Sequence, residues 1–288
     1  MSETIKFNKI IEIPQEIHIS DRKVYVENKE NVVAEAKKQG LVIYNLPQII
    51  NAMKNNQVKK AIRAFWVDAD STEHQGTYKK DKIYAVGHSL GAWSNLNFLK
   101  ENWSNRTDYG FIPMKQADFN SLMRQDNMIH LEDIKKGFVP NPDEPYGVFF
   151  KPGSDSVNIS PSGQLDYDSF MKDDVVSARI GNEELKAVLG KILFKDEKIS
   201  TVGNYHRVTD FNDLGARGLL LDDVSNGIIS YDYVDFIGRF VWGSTGGAEA
   251  LKNRNLERII MKTDAPEISI NETTYLKHGN LYLPLLSK

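Results

Sequence analysis

The sequence contains no cysteine. That excludes disulfides, thiolate metal sites and cysteine nucleophiles, and leaves carboxylates and hydroxyls as the candidate reactive groups. No apolar run reaches the ~18 residues that a membrane-spanning helix needs. No run of five or more like charges occurs, so there is no acidic or basic tail. Neither sign of charge dominates: 36 Lys and Arg stand against 39 Asp and Glu, a net charge of −3. Without a basic field to hold a polyanion, nucleic-acid binding would need a local patch. The opening MSETIKFNKIIEIPQ has no basic start followed by an apolar stretch, so the expectation is no secretory signal and a cytoplasmic protein. The six histidines show no metal-ligand spacing.

What is present is ordinary globular composition: 288 residues, 41% hydrophobic and 26% charged. That length suits one large domain or two modest ones. The first 70 residues alternate short apolar runs with helical patterns, which favours a mixed α/β or α+β fold with crossover helices. Ser71–Asp81 is polar, contains Gly76, and reads as a loop or hairpin tip. Ile83–Val86 and Tyr146–Phe150 read as strands, and Asp118–Arg124 and Leu131–Lys136 as short helices. Asn182 is a good N-cap, with Glu183 and Glu184 in the first turn, for a helix stopping at Gly190. Extra antiparallel β structure is expected towards the C-terminus, and Ser244 or Thr245 could cap a helix through Leu256. The stretch 141–163, rich in Pro, Gly and Ser, divides a region 1–140 from a region 164–288.

Two constellations carry chemistry. Asp68-Ala69-Asp70-Ser71-Thr72 follows the apolar run Ala64–Val67. Two carboxylates at i and i+2 leaving a strand can share one Mg²⁺, and one of them can attack phosphorus. The pattern resembles the first motif of haloacid dehalogenase-like phosphohydrolases. Counterparts of the later motifs follow in the family's order. Asp174–Arg179 matches a strand carrying the hydroxyl of Ser177, Lys195 and Lys198 lie in the next interval, and Leu219–Leu221 ends in Asp222-Asp223. The resemblance implies an Mg²⁺-dependent phosphohydrolase acting on a small phosphorylated substrate. In it Asp68 is nucleophile, Asp70 general acid, Ser177 phosphate ligand and Lys198 charge neutraliser. Asp222 and Asp223 complete the metal site with Asp68 and Asp70.

The second is Gly87-His88-Ser89-Leu90-Gly91 after the strand Ile83–Val86. It resembles the nucleophile elbow of α/β-hydrolases, which implies a serine esterase using Ser89, with Asp222 and His278 supplying the chain order. A third reading is non-enzymatic. A near-neutral, aromatic-rich chain suits a structural or assembly subunit of a virus-like or other large particle, and a homo-oligomer. It expects Asp68, Asp70, Ser177 and Asp222 to be scattered in space.

Overall fold

The computed structural model describes residues 17–20, 23–63, 67–107, 110–208, 213–221, 228–230, 237–238, 240–244, 267–270, 273–278 and 281–284. The chain divides into two compact units, Ile17–Gly243 and a second made of Met1–Glu16 with Ser244–Lys288. In the second unit the described part is a three-stranded antiparallel meander, Glu267–Ile270, Thr273–His278 and Leu281–Pro284. The sequence expectation of short strands at this end holds. The helix expected through Leu256 lies outside the described residues.

The larger unit is built around a seven-stranded sheet, accompanied by one three-stranded and two two-stranded antiparallel sheets. The strands of the seven-stranded sheet are β1 (Val67–Tyr78), β2 (Asp81–His88), β3 (Ile112–Pro113), β4 (Met128–His130), β5 (Tyr146–Phe150), β6 (Gly215–Leu221) and β7 (Ile228–Ser230). They run in the order β7-β6-β1-β2-β5-β4, and β3 also pairs with β6. Every pairing is antiparallel except β4 with β5. That parallel pair is joined through the helix Leu131–Lys135, since parallel neighbours need a crossover connection. The fold is therefore α+β with a mixed sheet. The segment 141–163 lies inside this unit.

Ser71–Tyr78 is strand and not loop, which corrects the reading from its polarity. The turn falls at Lys79 and Lys80, both with positive φ (49° and 76°). That is the backbone of a tight hairpin turn whose twist matches its strands. Polar composition hid the strand because its polar side chains are buried and paired.

The sheet is covered on both faces. Helices α1 (Tyr25–Gln39), α2 (Leu46–Ala52), α3 (Leu96–Asn102), α4 (Gln116–Met123), α5 (Asp174–Ile180) and α6 (Glu183–Gly190) supply the cover. One core joins Val67, Tyr84, Val86 and Val148 with Ile49 of α2, Val176 of α5 and Leu189 of α6. The other face meets Tyr25 and Val32 of α1, with Trp93, Leu99 and Ile112, and further along Phe119 of α4 packs on Ala85. Local signals fix several of these helices. Asn45 and Gln48 form a reciprocal capping box on α2, with Pro47 in its first turn. Asn182 caps α6 through the Leu185 N–H, as read from the sequence.

Candidate functional site

β1 carries a heavy load of buried polar side chains: Asp68, Ser71, Thr72, Glu73, His74 and Gln75. A buried polar group without a partner costs about 1–3 kcal/mol. The strand is tolerable because the flanking elements supply partners. On the face towards α2 and α5, Ser71 Oγ accepts from the Leu46 N–H at 3.0 Å and meets His88 Nδ1 at 3.0 Å. His88 Nε2 lies 3.3 Å from the Ala178 carbonyl. A carbonyl only accepts, so Nε2 carries the proton and Nδ1 accepts from the Ser71 hydroxyl. Burial pushes His88 down to about 3, so it is neutral at ordinary pH.

Beside it, Arg179 is fully buried. Its guanidinium donates to Glu73 Oε2 at 2.7 Å, Asn204 Oδ1 at 2.8 Å, the Tyr205 carbonyl at 2.8 Å and the Tyr84 hydroxyl at 3.3 Å. Asp173 caps α5 through the Val176 N–H and also accepts from Ser160 N–H and the Asn204 amide. Lys186 Nζ donates to the Asp173 carbonyl and to Ser177 Oγ, at 3.0 and 2.7 Å.

On the opposite face, Thr72 Oγ1 accepts from Trp93 N–H at 3.0 Å and His74 Nε2 from Ala92 N–H at 3.2 Å. Burial pushes His74 down to about 4. Lys29 of α1 donates to Asp70 Oδ1 at 2.8 Å.

Of the sequence-derived phosphatase residues, the described ones are Asp68, Asp70, Ser177 and Lys198, and they fall on different kinds of element. Asp68 and Asp70 sit on β1, whose neighbours β2 and β6 both run antiparallel to it. Ser177 lies in helix α5, not at a strand end, and its hydroxyl is engaged by Lys186. Its helix neighbours Val176 and Ala178 belong to the core on the face away from Lys29 and Trp93. Lys198 stands in the loop after Lys191–Asp196, with φ of 57°. Asp222, Asp223 and the side chain of His278 lie outside the described residues. Among the described residues no group of three His, Asp or Glu side chains gathers to hold a metal.

Ser89 has the positive φ of a strained turn (51°), yet its hydroxyl accepts from the Asn45 amide at 3.2 Å. The strand before it is antiparallel to both neighbours, and the following helix begins only at Leu96. His88, next in sequence, is held by Ser71 and Ala178. A nucleophile elbow would instead pass straight from a strand into a helix.

What the sequence reading missed is a groove. Two helix-spaced stripes wall it: Phe98, Glu101, Asn102 and Asn105 on one side, Asp118, Ser121, Leu122 and Gln125 on the other. The cavity is about 920 Å³. That volume falls within the range of small-ligand clefts. Ser94, whose buried hydroxyl has no partner, lines the adjoining pocket. The only sequence signal was the density of Asn between Asn95 and Asn105.

These features define an α+β protein with helices on both faces of a mostly antiparallel sheet. The chain is similar to a solved nanoarchaeal structure described as the accommodation of massive sequence variation in Nanoarchaeota by the C-type lectin fold. The two are 17% identical with a TM-score of 0.53, and the match covers 81% of this chain and 99% of that one. At that identity the likeness is one of fold alone. No family model and no curated protein matches the chain. The likeness overturns the phosphohydrolase expectation and the hydrolase and phosphatase terms attached to it. That chemistry needs acids delivered to one end of a parallel sheet, and the lectin-like sheet holds Asp68 and Asp70 in an antiparallel strand.

Proposed function

We propose that the chain is a non-enzymatic assembly subunit: a lectin-like scaffold that engages neighbouring molecules through the groove between α3 and α4. The observation that carries this reading is the fold likeness. In the nanoarchaeal protein that fold accommodates massive sequence variation. The same division of labour suits this chain. Its framework is held by the interior network on β1, and the groove side chains take little part in it. Asn97, Glu101, Asn105, Lys115, Asp118, Ser121 and Gln125 are all exposed. Surface substitutions of this kind usually change stability by under ~0.5 kcal/mol each. The near-balanced net charge does not oppose association.

Light scattering on the purified chain tests the reading. An oligomer is expected, and Asn105→Glu with Ser121→Glu is expected to dissociate it by adding charge to a rim that already holds Glu101 and Asp118. The melting temperature should stay within a few degrees. A wild-type monomer, or an oligomer indifferent to both substitutions, overturns the proposal.

A further inference from the structure

Lys29 is a charged residue in a core position. It projects from α1 and is 1% exposed. Its Nζ lies 2.8 Å from Asp70 Oδ1 and 2.5 Å from the Trp93 carbonyl oxygen. The surroundings are aromatic. The Phe240 ring centroid is 5.8 Å from Nζ, Tyr25 packs edge-on against Phe240 at 5.1 Å, and Trp93 is fully buried. A second carboxylate, Asp68, lies two positions before Asp70 on the same strand. Asp68 is 4% exposed, and its backbone bridges that of Phe240. Burial first, then Asp68, and less strongly Asp70, push the Tyr25 phenol well above its ordinary pKa. Asp68 and Asp70 alternate along β1 with Val67 and Ala69, which turn into the core on the other face, so both carboxylates lie on the Tyr25 side.

A buried ion pair on its own adds little stability, because desolvation offsets the attraction. This arrangement holds more than an ion pair requires. A lysine amine is a competent nucleophile once desolvated. It is fixed against a carboxyl group, which removes the entropy of encounter. A second acid, Asp68, shares that face of the strand two positions away and is the candidate proton carrier. We propose that Lys29 and Asp70 join in an intramolecular isopeptide bond, with Asp68 as the proton carrier.

The step balances without any co-reactant. In the reactive form one proton has passed from Nζ to the Asp70 carboxylate. The Nζ lone pair adds to Asp70 Cγ, and the new C–N bond creates a tetrahedral centre. Asp68 takes a proton from Nζ and delivers it to the departing Asp70 hydroxyl. The C–O bond breaks and one water leaves. The Asp70 side chain, 15% exposed, provides its way out. The amide keeps one N–H, and the Trp93 carbonyl remains in place to accept it. The product ties α1 to the central strand across 41 positions of sequence.

Mass spectrometry of the full chain under denaturing conditions reads the outcome directly. The wild type is expected to be lighter than its sequence by one water, and a protease digest is expected to yield one branched peptide holding both Lys29 and Asp70. Asp68→Asn and Lys29→Arg are each expected to show the full mass. A wild type at full sequence mass, with Lys29 and Asp70 in separate peptides, overturns the proposal whether or not the variants fold. A water loss located elsewhere, such as a succinimide at another aspartate, overturns it too. A branched peptide that persists in Asp68→Asn overturns the role given to Asp68. None of these readings depends on the oligomeric state, so the assembly proposal stands or falls separately.

Discussion

Replacing Arg179 with methionine removes one guanidinium that serves four acceptors. Glu73 Oε2, Asn204 Oδ1, the Tyr205 carbonyl and the Tyr84 hydroxyl all lose a donor. Glu73 is the costliest of them, since it is 3% exposed and would keep a charge in the core. Removing one partner of a buried pair costs about 3–5 kcal/mol, against a whole-domain stability of about 5–15 kcal/mol. Arg179→Met should therefore shift the denaturant midpoint sharply, and at the upper end should leave the chain only marginally folded. The assay is guanidinium unfolding followed by tryptophan fluorescence. Arg179→Met combined with Glu73→Leu should be more stable than the sum of the two single losses implies, because the stranded charge has gone. A single-variant cost under about 1 kcal/mol, or simple additivity in the double variant, would refute the claim that this pair organises the interior.

The buried histidines set a pH dependence. His88 and His74 are pushed from 6.5 to about 3 and about 4, chiefly by burial. Their folded pKa values lie below the unfolded one, so the unfolded chain takes up protons first. Stability should be full above about pH 6.5 and fall as pH drops towards 4, and urea midpoints across that window check it; a flat profile would contradict the burial of both rings. Gly91 has a φ of +96°, and an added Cβ would sit 2.2 Å from His74 Cε1. Gly91→Ala should cost more than ~1 kcal/mol by calorimetry, from backbone strain and collision together.

Much of the local structure was legible because it depends on near neighbours. Asn182 with Glu183 and Glu184 announced α6, and Tyr146–Phe150 is a strand with the bounds read from its apolar run. The Val175–Val176 pair misled, since β-branched residues favour strands, but Asp173 capping Val176 N–H makes that stretch a helix. The largest error concerned β1. Its buried carboxylate, imidazole and hydroxyl groups read as loop because their partners lie far along the chain, and a single sequence does not display distant partners. Asp68 and Asp70 looked like metal ligands at a strand end, whereas Lys29, 41 positions earlier than Asp70, meets it in the core. The groove has a simpler reason for escaping notice: its walls come from separate helices, and neither stripe says which other stripe it faces.

The Glu73–Arg179 pair spans 106 positions. Contacts of that range form late, since the intervening chain must first be brought into place. A partly folded molecule that has desolvated β1 before α5 arrives would hold a carboxylate, an imidazole and hydroxyls with nothing to bond. The interior network thus penalises halfway states more heavily than an apolar core would. Unfolding of the Ile17–Gly243 unit should accordingly approach an all-or-none event, with slow refolding as its kinetic counterpart.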